Sequence, residues 1–269
     1  MKGLTFTKIS GSGNDFVLFD NRAKALDGDL RDFVQKVCSR RMGVGADGTL
    51  LLEKSEEYDF SMRYFNPDGG EAEMCGNGAR CIAYFAYRIG AAKERMTFLA
   101  KDGPHQADVH GCGVKVSLQN PSQVQLGLDL DMGGKTLSAH FANTGVPHAV
   151  VLTTDLESVE VVSVGREIRY HPKFAPAGTN VDFAQVTGPR ALRMRTYERG
   201  VEDETLACGT GATASAVVAH LLKKVEPPVA VTTRSGEILT IHFQSRDGVL
   251  TDVFLEGDVT PVFEGKLTG

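Results

Sequence analysis

Phe65-Asn66-Pro67-Asp68-Gly69-Gly70-Glu71-Ala72-Glu73-Met74-Cys75-Gly76-Asn77-Gly78-Ala79-Arg80-Cys81 decides how this chain is read. The run that follows, Cys81-Ile82-Ala83-Tyr84-Phe85-Ala86-Tyr87-Arg88-Ile89, is apolar almost all round, and a helix of that kind is buried. Its start is a glycine-rich turn carrying a cysteine. Backbone N–H groups at a helix start have no intrahelical partner and bind anions. The same setting lowers a thiol pKa, so Cys75 is a candidate thiolate near neutral pH. Taken alone, such a cysteine reads as a small buried residue in a packed turn.

The cysteine is not alone. Cys208-Gly209-Thr210-Gly211-Ala212 repeats the Cys-Gly-x-Gly-Ala pattern 133 positions later. A second apolar helix follows, with Ala214, Ala216, Val217, Val218, Ala219, Leu221 and Leu222, and Lys223 and Lys224 close its C-terminal end, where cations suit the dipole. The lead-ins also correspond: Met62-Arg63-Tyr64-Phe65-Asn66 and Met194-Arg195-Thr196-Tyr197-Glu198. Gly13-Asn14-Asp15-Phe16 and Thr179-Asn180-Val181-Asp182-Phe183 form a weaker pair. These features read as an internal duplication. Two related halves, each with a cysteine at a helix start, imply one site between them with a thiol on either side.

The remaining segments are strand-rich. Leu4–Ile9 and Phe16–Asp20 read as strands around the glycine-rich loop Ser10–Asp15, for which a hairpin turn is the ordinary reading. Leu30, Phe33, Val34 and Val37 predict an amphipathic helix over 29–39, with Cys38 structural at its end. Glycines 43, 45 and 48 resemble a phosphate-binding turn, but no long helix follows them directly, so neither nucleotide fingerprint fits. Strands are expected at 49–53, 58–65, 96–101, 105–110 and 113–119. The second half offers 124–132, 136–142, 148–152, 181–186, 190–197, 229–233, 238–244 and 249–255, with a helical stretch at 155–170. The expected class is α+β: two pseudo-symmetric halves, each a barrel-like sheet around a buried central helix. Asn120-Pro121-Ser122 divides residues 1–120 from 121–269, and the last strand is a candidate to return to the first half.

Composition narrows the function classes. A net charge of −5 without a Lys/Arg cluster argues against a nucleic-acid surface. No apolar run reaches the roughly 18 residues of a membrane span, and Met1–Thr5 lacks the apolar core of a signal peptide. Five cysteines, Cys38, Cys75, Cys81, Cys112 and Cys208, are odd in number and irregularly spaced, which fits a reducing cytoplasm. No Cys-x-x-Cys or His-x-x-x-His pair suggests zinc, so no metal is expected.

Two thiols facing one small cavity suit proton transfer at a carbon centre. One thiolate removes a proton, the opposite thiol supplies one, and stereochemistry inverts. An α-proton of an amino acid is hard to remove unless the developing charge is stabilised. Two helix N-termini, each carrying about half a positive charge, would supply that at one α-carboxylate. Such chemistry needs no pyridoxal phosphate, and no pattern marks a Schiff-base lysine.

Taken together, Phe65-Asn66-x-Asp68-Gly69, Cys75-Gly76-Asn77-Gly78-x-Arg80-Cys81, Glu198-Arg199-Gly200 and Thr205-x-Ala207-Cys208-Gly209-Thr210-Gly211-Ala212 closely resemble the diaminopimelate epimerase family. Gly13-Asn14-Asp15-Phe16, Gly145-x-Pro147-His148 and Gly178-Thr179-Asn180-Val181 extend the resemblance over nearly the whole chain. It implies a cofactor-independent epimerase that interconverts LL- and meso-diaminopimelate in lysine and peptidoglycan-precursor synthesis, and a homodimer. By the same resemblance Cys75 and Cys208 are the acid/base pair. Gly76, Asn77, Gly209 and Thr210 hold the reacting carboxylate, and Asn14, Asn66, Asn180, Glu198 and Arg199 recognise the substrate's charged groups. His148 and Glu198 match positions that assist catalysis. Outside this setting an Asn reads as a turn residue, His148 as a satisfied loop histidine and Glu198–Arg199 as a surface pair.

Two positions depart from the pattern. Val146 stands where many members have Asn, a polar contact that is lost or supplied by Asn143 or Thr144. Gly48 stands where some members have Gln. Rival readings are a racemase of the same fold for proline, hydroxyproline or histidine, and a ligand-binding or redox-sensing protein. Glu198-Arg199 favours a substrate with a second zwitterionic end, because Arg holds a carboxylate and Glu accepts from an ammonium.

Overall fold

The alternating residues at the start of the chain fold as a hairpin. Strands β1 (Thr5–Gly11) and β2 (Asn14–Asp20) pair antiparallel, with Gly11 opposite Asn14. Ser12 (φ 56°) and Gly13 (φ 88°) make the two-residue turn, the left-handed pair that suits the twist of a hairpin. The computed structural model describes residues 3–72 and 74–268. These form two compact units: one runs to Ser117 and takes in the C-terminal segment from Gly257, and the other is Leu118–Glu256.

In the first unit, α1 (Arg31–Cys38) crosses from β2 to β3 (Gly48–Glu53), which lies parallel to β2. A parallel pair needs such a crossover. Then come β4 (Phe60–Phe65), the two-residue β5 (Glu71–Ala72), α2 (Gly76–Arg88), β6 (Arg95–Ala100), β7 (Gly103–His110) and β8 (Gly113–Ser117). β4 pairs antiparallel with β3 and β5 and parallel with β6.

The second unit repeats this order. β9 (Ser122–Asp131), β10 (Thr136–Asn143) and β11 (Pro147–Leu152) run antiparallel. α3 (Val161–Arg169) crosses to β12 (Asn180–Gly188), parallel to β11. β13 (Ala191–Glu198) pairs antiparallel with β12 and with the short β14 (Asp203–Thr205). α4 (Gly209–Leu221) leads to β15 (Val229–Thr232), parallel to β13, and then to β16 (Ile238–Arg246) and β17 (Val249–Asp258). The last strand, β18 (Thr260–Lys266), pairs antiparallel with β1, as β9 pairs with β10. Each half therefore has the same order of strand pairings.

Each central helix is enclosed by its own strands. α2 packs against β1, β2, β3, β7 and β8, and α4 against β10, β11, β12, β13 and β16. Ile82, Ala83 and Ala86 are wholly buried in α2, as are Ala214, Val217 and Val218 in α4. Each such Val or Ile contributes roughly 1.5–3 kcal/mol relative to exposure. α1 and α3 are different. They bury one stripe, Phe33, Val34 and Val37 in α1 and Val161, Gly165 and Ile168 in α3, against the outside of the sheet. No helix among the described residues is long and apolar enough to cross a membrane.

The glycines at 43 and 48 serve packing. A Cβ on Gly43 would lie inside the carbonyl oxygen of Lys36, and one on Gly48 would sit 2.7 Å from the Tyr64 ring. A Gln at 48 does not fit this backbone. Cys38 is buried with its sulfur 3.3 Å from Thr49 Oγ1, and burial pushes its thiol pKa up.

Candidate active site

Cys75 and Cys208 occupy the same structural position. Each is the extended residue just before a central helix, with φ −132°, ψ 121° at Cys75 and φ −130°, ψ 112° at Cys208. The first intrahelical bonds are Ala79 N–H to the Cys75 carbonyl at 2.7 Å and Ala212 N–H to the Cys208 carbonyl at 2.9 Å. The N–H groups of Gly76, Asn77 and Gly78, and of Gly209, Thr210 and Gly211, precede those bonds, so each helix start is an anion seat. Neither first turn carries an acidic residue to compete with an anionic ligand.

In the first unit the side chain of Asn77 is locked. Its Nδ2 donates to Asn14 Oδ1 at 2.7 Å, and its Oδ1 accepts from Arg80 Nη2 at 2.7 Å. Asn14 Nδ2 in turn donates to Asp47 Oδ2 at 3.2 Å. Arg80, wholly buried in α2, also donates to Ser12 Oγ at 2.9 Å and to the Asp258 carbonyl at 3.3 Å. The amide directions of Asn14 and Asn77 thus follow from one chain of donors. Beside it, Asp15 takes Lys8 at 2.7 Å and Arg40 at 2.9 Å. Burial raises the Asp15 pKa, but the hydrogen bonds and charges of Arg40 and Lys8 outweigh it and hold the carboxyl at about 2. Asn66 is half-buried just after β4, with its N–H on the Gly70 carbonyl at 2.9 Å. Cys75 is half-buried.

In the second unit Cys208 is only 8% exposed. Its sulfur lies 3.4 Å from Thr210 Oγ1, which lies 2.9 Å from His148 Nε2. His148 Nδ1 is 2.7 Å from Asp182 Oδ2, and Thr196 Oγ1 donates to Asp182 Oδ1 at 2.7 Å. Burial pushes the Cys208 thiol well up, the Glu198 and Asp182 charges push it further, and the Gly211 N–H offsets only part. Burial and the two nearby carboxylates thus favour the thiol over the thiolate at Cys208.

Asn180 and Arg199 are joined: Asn180 Oδ1 accepts from the Arg199 N–H at 2.8 Å, and Asn180 Nδ2 donates to the Pro147 carbonyl at 3.0 Å. Arg199 Nη1 donates to the Ala177 carbonyl at 3.2 Å. Arg199, Asn143, Pro147 and Lys173 share the lining of a cavity of about 980 Å³. Thr144 is buried and gives its hydroxyl to the Thr210 carbonyl at 3.0 Å, whereas Asn143 Oδ1 takes the Gly145 N–H at 3.1 Å. Of the two stand-ins for the missing Asn at 146, Thr144 is thus committed to α4, and Asn143 lines the cavity with Arg199. Glu198 is half-buried and close enough to act on the Cys208 thiol.

Reading the sequence did not single out Asp182, Thr196, Asp47 or Ser12, although Asp182 stands two residues after Asn180. Among the described residues no group of three or more His, Cys, Asp or Glu is arranged to hold a metal ion.

The chain is similar to the diaminopimelate epimerase of Aquifex aeolicus (strain VF5), 48% identical over 277 residues, 98% of each chain. It is also similar to that of Chlorobaculum tepidum, 41% identical over 97% of this chain and all of the relative. Among solved structures, a PhzF-family phenazine biosynthesis protein of Bacillus anthracis superposes with a TM-score of 0.76 at 17% identity, covering 99% of each chain. A probable proline racemase of Agrobacterium radiobacter K84 gives 0.71 at 15%, over 98% of this chain and 92% of the other. At those identities the likeness is one of fold. The sequence model described as Diaminopimelate epimerase matches residues 6–124 and 140–258, once in each half. The chain belongs to the diaminopimelate epimerase family.

Proposed function

We propose that the protein is a diaminopimelate epimerase that inverts one α-carbon between the LL and meso forms without pyridoxal phosphate or metal. The observation that carries this reading is the pair of cysteines at matched starts of two buried helices, in a chain 48% identical to a diaminopimelate epimerase over nearly its full length. Cys75 and Cys208 act as the two acid/base groups, one for each face of the carbon. The thiolate takes the α-proton, the C–H electron pair enters the carboxylate, and the opposite thiol returns a proton to carbon. Gly76, Asn77, Gly209 and Thr210 hold the reacting carboxylate with backbone N–H groups, where fixed dipoles stabilise the developing charge.

The roles of Cys75 and Cys208 as acid and base swap with the direction of the reaction. His148 and Glu198 assist proton transfer. Arg199 holds the distal carboxylate, and Asn14, Asn66, Asn180 and Glu198 complete recognition of the amino and carboxylate groups. The protein works as a homodimer in the cytoplasm. Turnover assays with LL- and meso-diaminopimelate, proline, trans-4-hydroxyproline and histidine test the reading. Epimerisation of diaminopimelate alone supports it, and turnover of another of these amino acids in its place overturns it.

A further inference from the structure

Buried carboxylates without a cationic partner are costly, and Asp182 is wholly buried. Three features compensate. Thr196 Oγ1 donates to Oδ1 at 2.7 Å, and His148 donates to Oδ2 at 2.7 Å. The third is the N-terminus of α4: a Cβ on Gly211 would lie 2.3 Å from Asp182 Oδ1, so the carboxylate sits against the first turn of that helix, at its positive end.

A carboxylate only accepts hydrogen bonds, so the hydrogen of neutral His148 is on Nδ1 and Nε2 is the acceptor. Thr210 then donates its hydroxyl hydrogen to Nε2 at 2.9 Å, and its oxygen faces the Cys208 sulfur at 3.4 Å. The direction of every hydrogen in this chain is set at its buried end.

We infer that Asp182 is a positioning residue of the reaction: it fixes the tautomer and ring orientation of His148, so that Nε2 presents its lone pair to the Thr210 hydroxyl beside Cys208. The inference rests on the proposed epimerase activity and adds to it a residue that touches no substrate. An Asn at 182 reverses the polarity. Its Oδ1 still accepts from Thr196, its Nδ2 donates to Nδ1, and His148 becomes the Nε2–H tautomer. Nε2 can then no longer accept.

The test joins ¹⁵N NMR of labelled histidine with steady-state kinetics on wild type and Asp182→Asn. Wild-type His148 is expected as the Nδ1–H tautomer, and Asp182→Asn as Nε2–H. The variant should keep KM within about threefold and lose kcat by 10²-fold or more, since a wrong tautomer removes the acceptor and not the binding groups. A purely structural Asp182 would move the melting temperature and not the tautomer. Wild-type His148 found as Nε2–H overturns the inference, whether or not the variant folds. So does a folded Asp182→Asn with wild-type kcat. A wild-type protein that fails to epimerise diaminopimelate but shows His148 as Nδ1–H refutes the activity and leaves the positioning intact.

Discussion

Arg195 grips Glu204 with Nε and Nη2 at 2.7 and 2.8 Å, on the β13–β14 hairpin that reaches Cys208 four residues later. Its counterpart, Arg63, grips Glu71 at 3.0 and 2.9 Å on the β4–β5 hairpin, four residues before Cys75. Each fork ties the lead-in of a cysteine to the strand behind it. Arg195 also donates to the Leu156 and Val159 carbonyls at 3.2 and 3.1 Å. A lysine cannot make the fork and reach those carbonyls together. Arg195→Lys is expected to cost roughly 1.5–3 kcal/mol of stability and to lower kcat, because the Cys208 turn loses its anchor. Urea unfolding and kinetics on the purified variant check both. Unchanged unfolding would mean the fork is an ordinary surface pair.

Gly211 has no room for a side chain, since its Cβ would meet Asp182 Oδ1 at 2.3 Å and Cγ at 3.0 Å. Gly211→Ala is expected to cost about 1–3 kcal/mol through overpacking and to disturb the His148 chain. Gly188→Ala is the control, because there the nearest atom is the Ala191 Cβ at 3.6 Å. Melting curves for the two variants should separate. Equal melting temperatures would show that Asp182 moves aside without cost.

Asp15 shapes the acid limb of stability. Its folded pKa, about 2, lies below the ordinary 3.8. The unfolded chain therefore binds the proton first as pH falls. The contribution is complete above pH about 4 and is lost as pH drops through about 2, and for this group it is roughly 2 kcal/mol. Asp15→Asn should flatten the fall in melting temperature across that window. A fall as steep as that of wild type would assign acid sensitivity elsewhere.

Arg199→Lys tests the distal end of the substrate. The Arg199 side chain is oriented by the Ala177 carbonyl at 3.2 Å and its backbone by Asn180 at 2.8 Å. A planar guanidinium takes a carboxylate with two parallel bonds, which an ammonium cannot do. KM for diaminopimelate is expected to rise about tenfold or more with the melting temperature unchanged. Wild-type kinetics in this variant would remove Arg199 from substrate recognition.

The helices and their cysteines were legible because each signal is local. The apolar run after Cys75, the small apolar residues after Cys208 and the shared Cys-Gly-x-Gly-Ala turn all sit within about four turns of helix. The duplication was legible for the same reason. The strands β5, β14 and β18 were not. Glu71–Ala72 and Asp203–Thr205 are too short to show alternation, and Thr260–Lys266 is exposed along most of its length and contains Pro261. The Arg–Glu forks and Asp182 were hidden for another reason. Asp182 meets His148 across 34 positions, and only the parallel pairing of β11 with β12, which sets His148 opposite Asn180, brings them together. The helix-start argument for a lowered thiol pKa does not extend to Cys208, where burial and two carboxylates prevail.

The central claim is that two thiols serve one carbon from opposite faces. It is tested most directly by running the reaction in deuterated water from each pure isomer and following label in substrate and product at early times. Two bases predict deuterium in the product and little in the remaining substrate, from either direction, and the loss of epimerisation by orders of magnitude in both Cys75→Ser and Cys208→Ser. Equal early labelling of substrate and product, or a serine variant that epimerises near the wild-type rate, would contradict it.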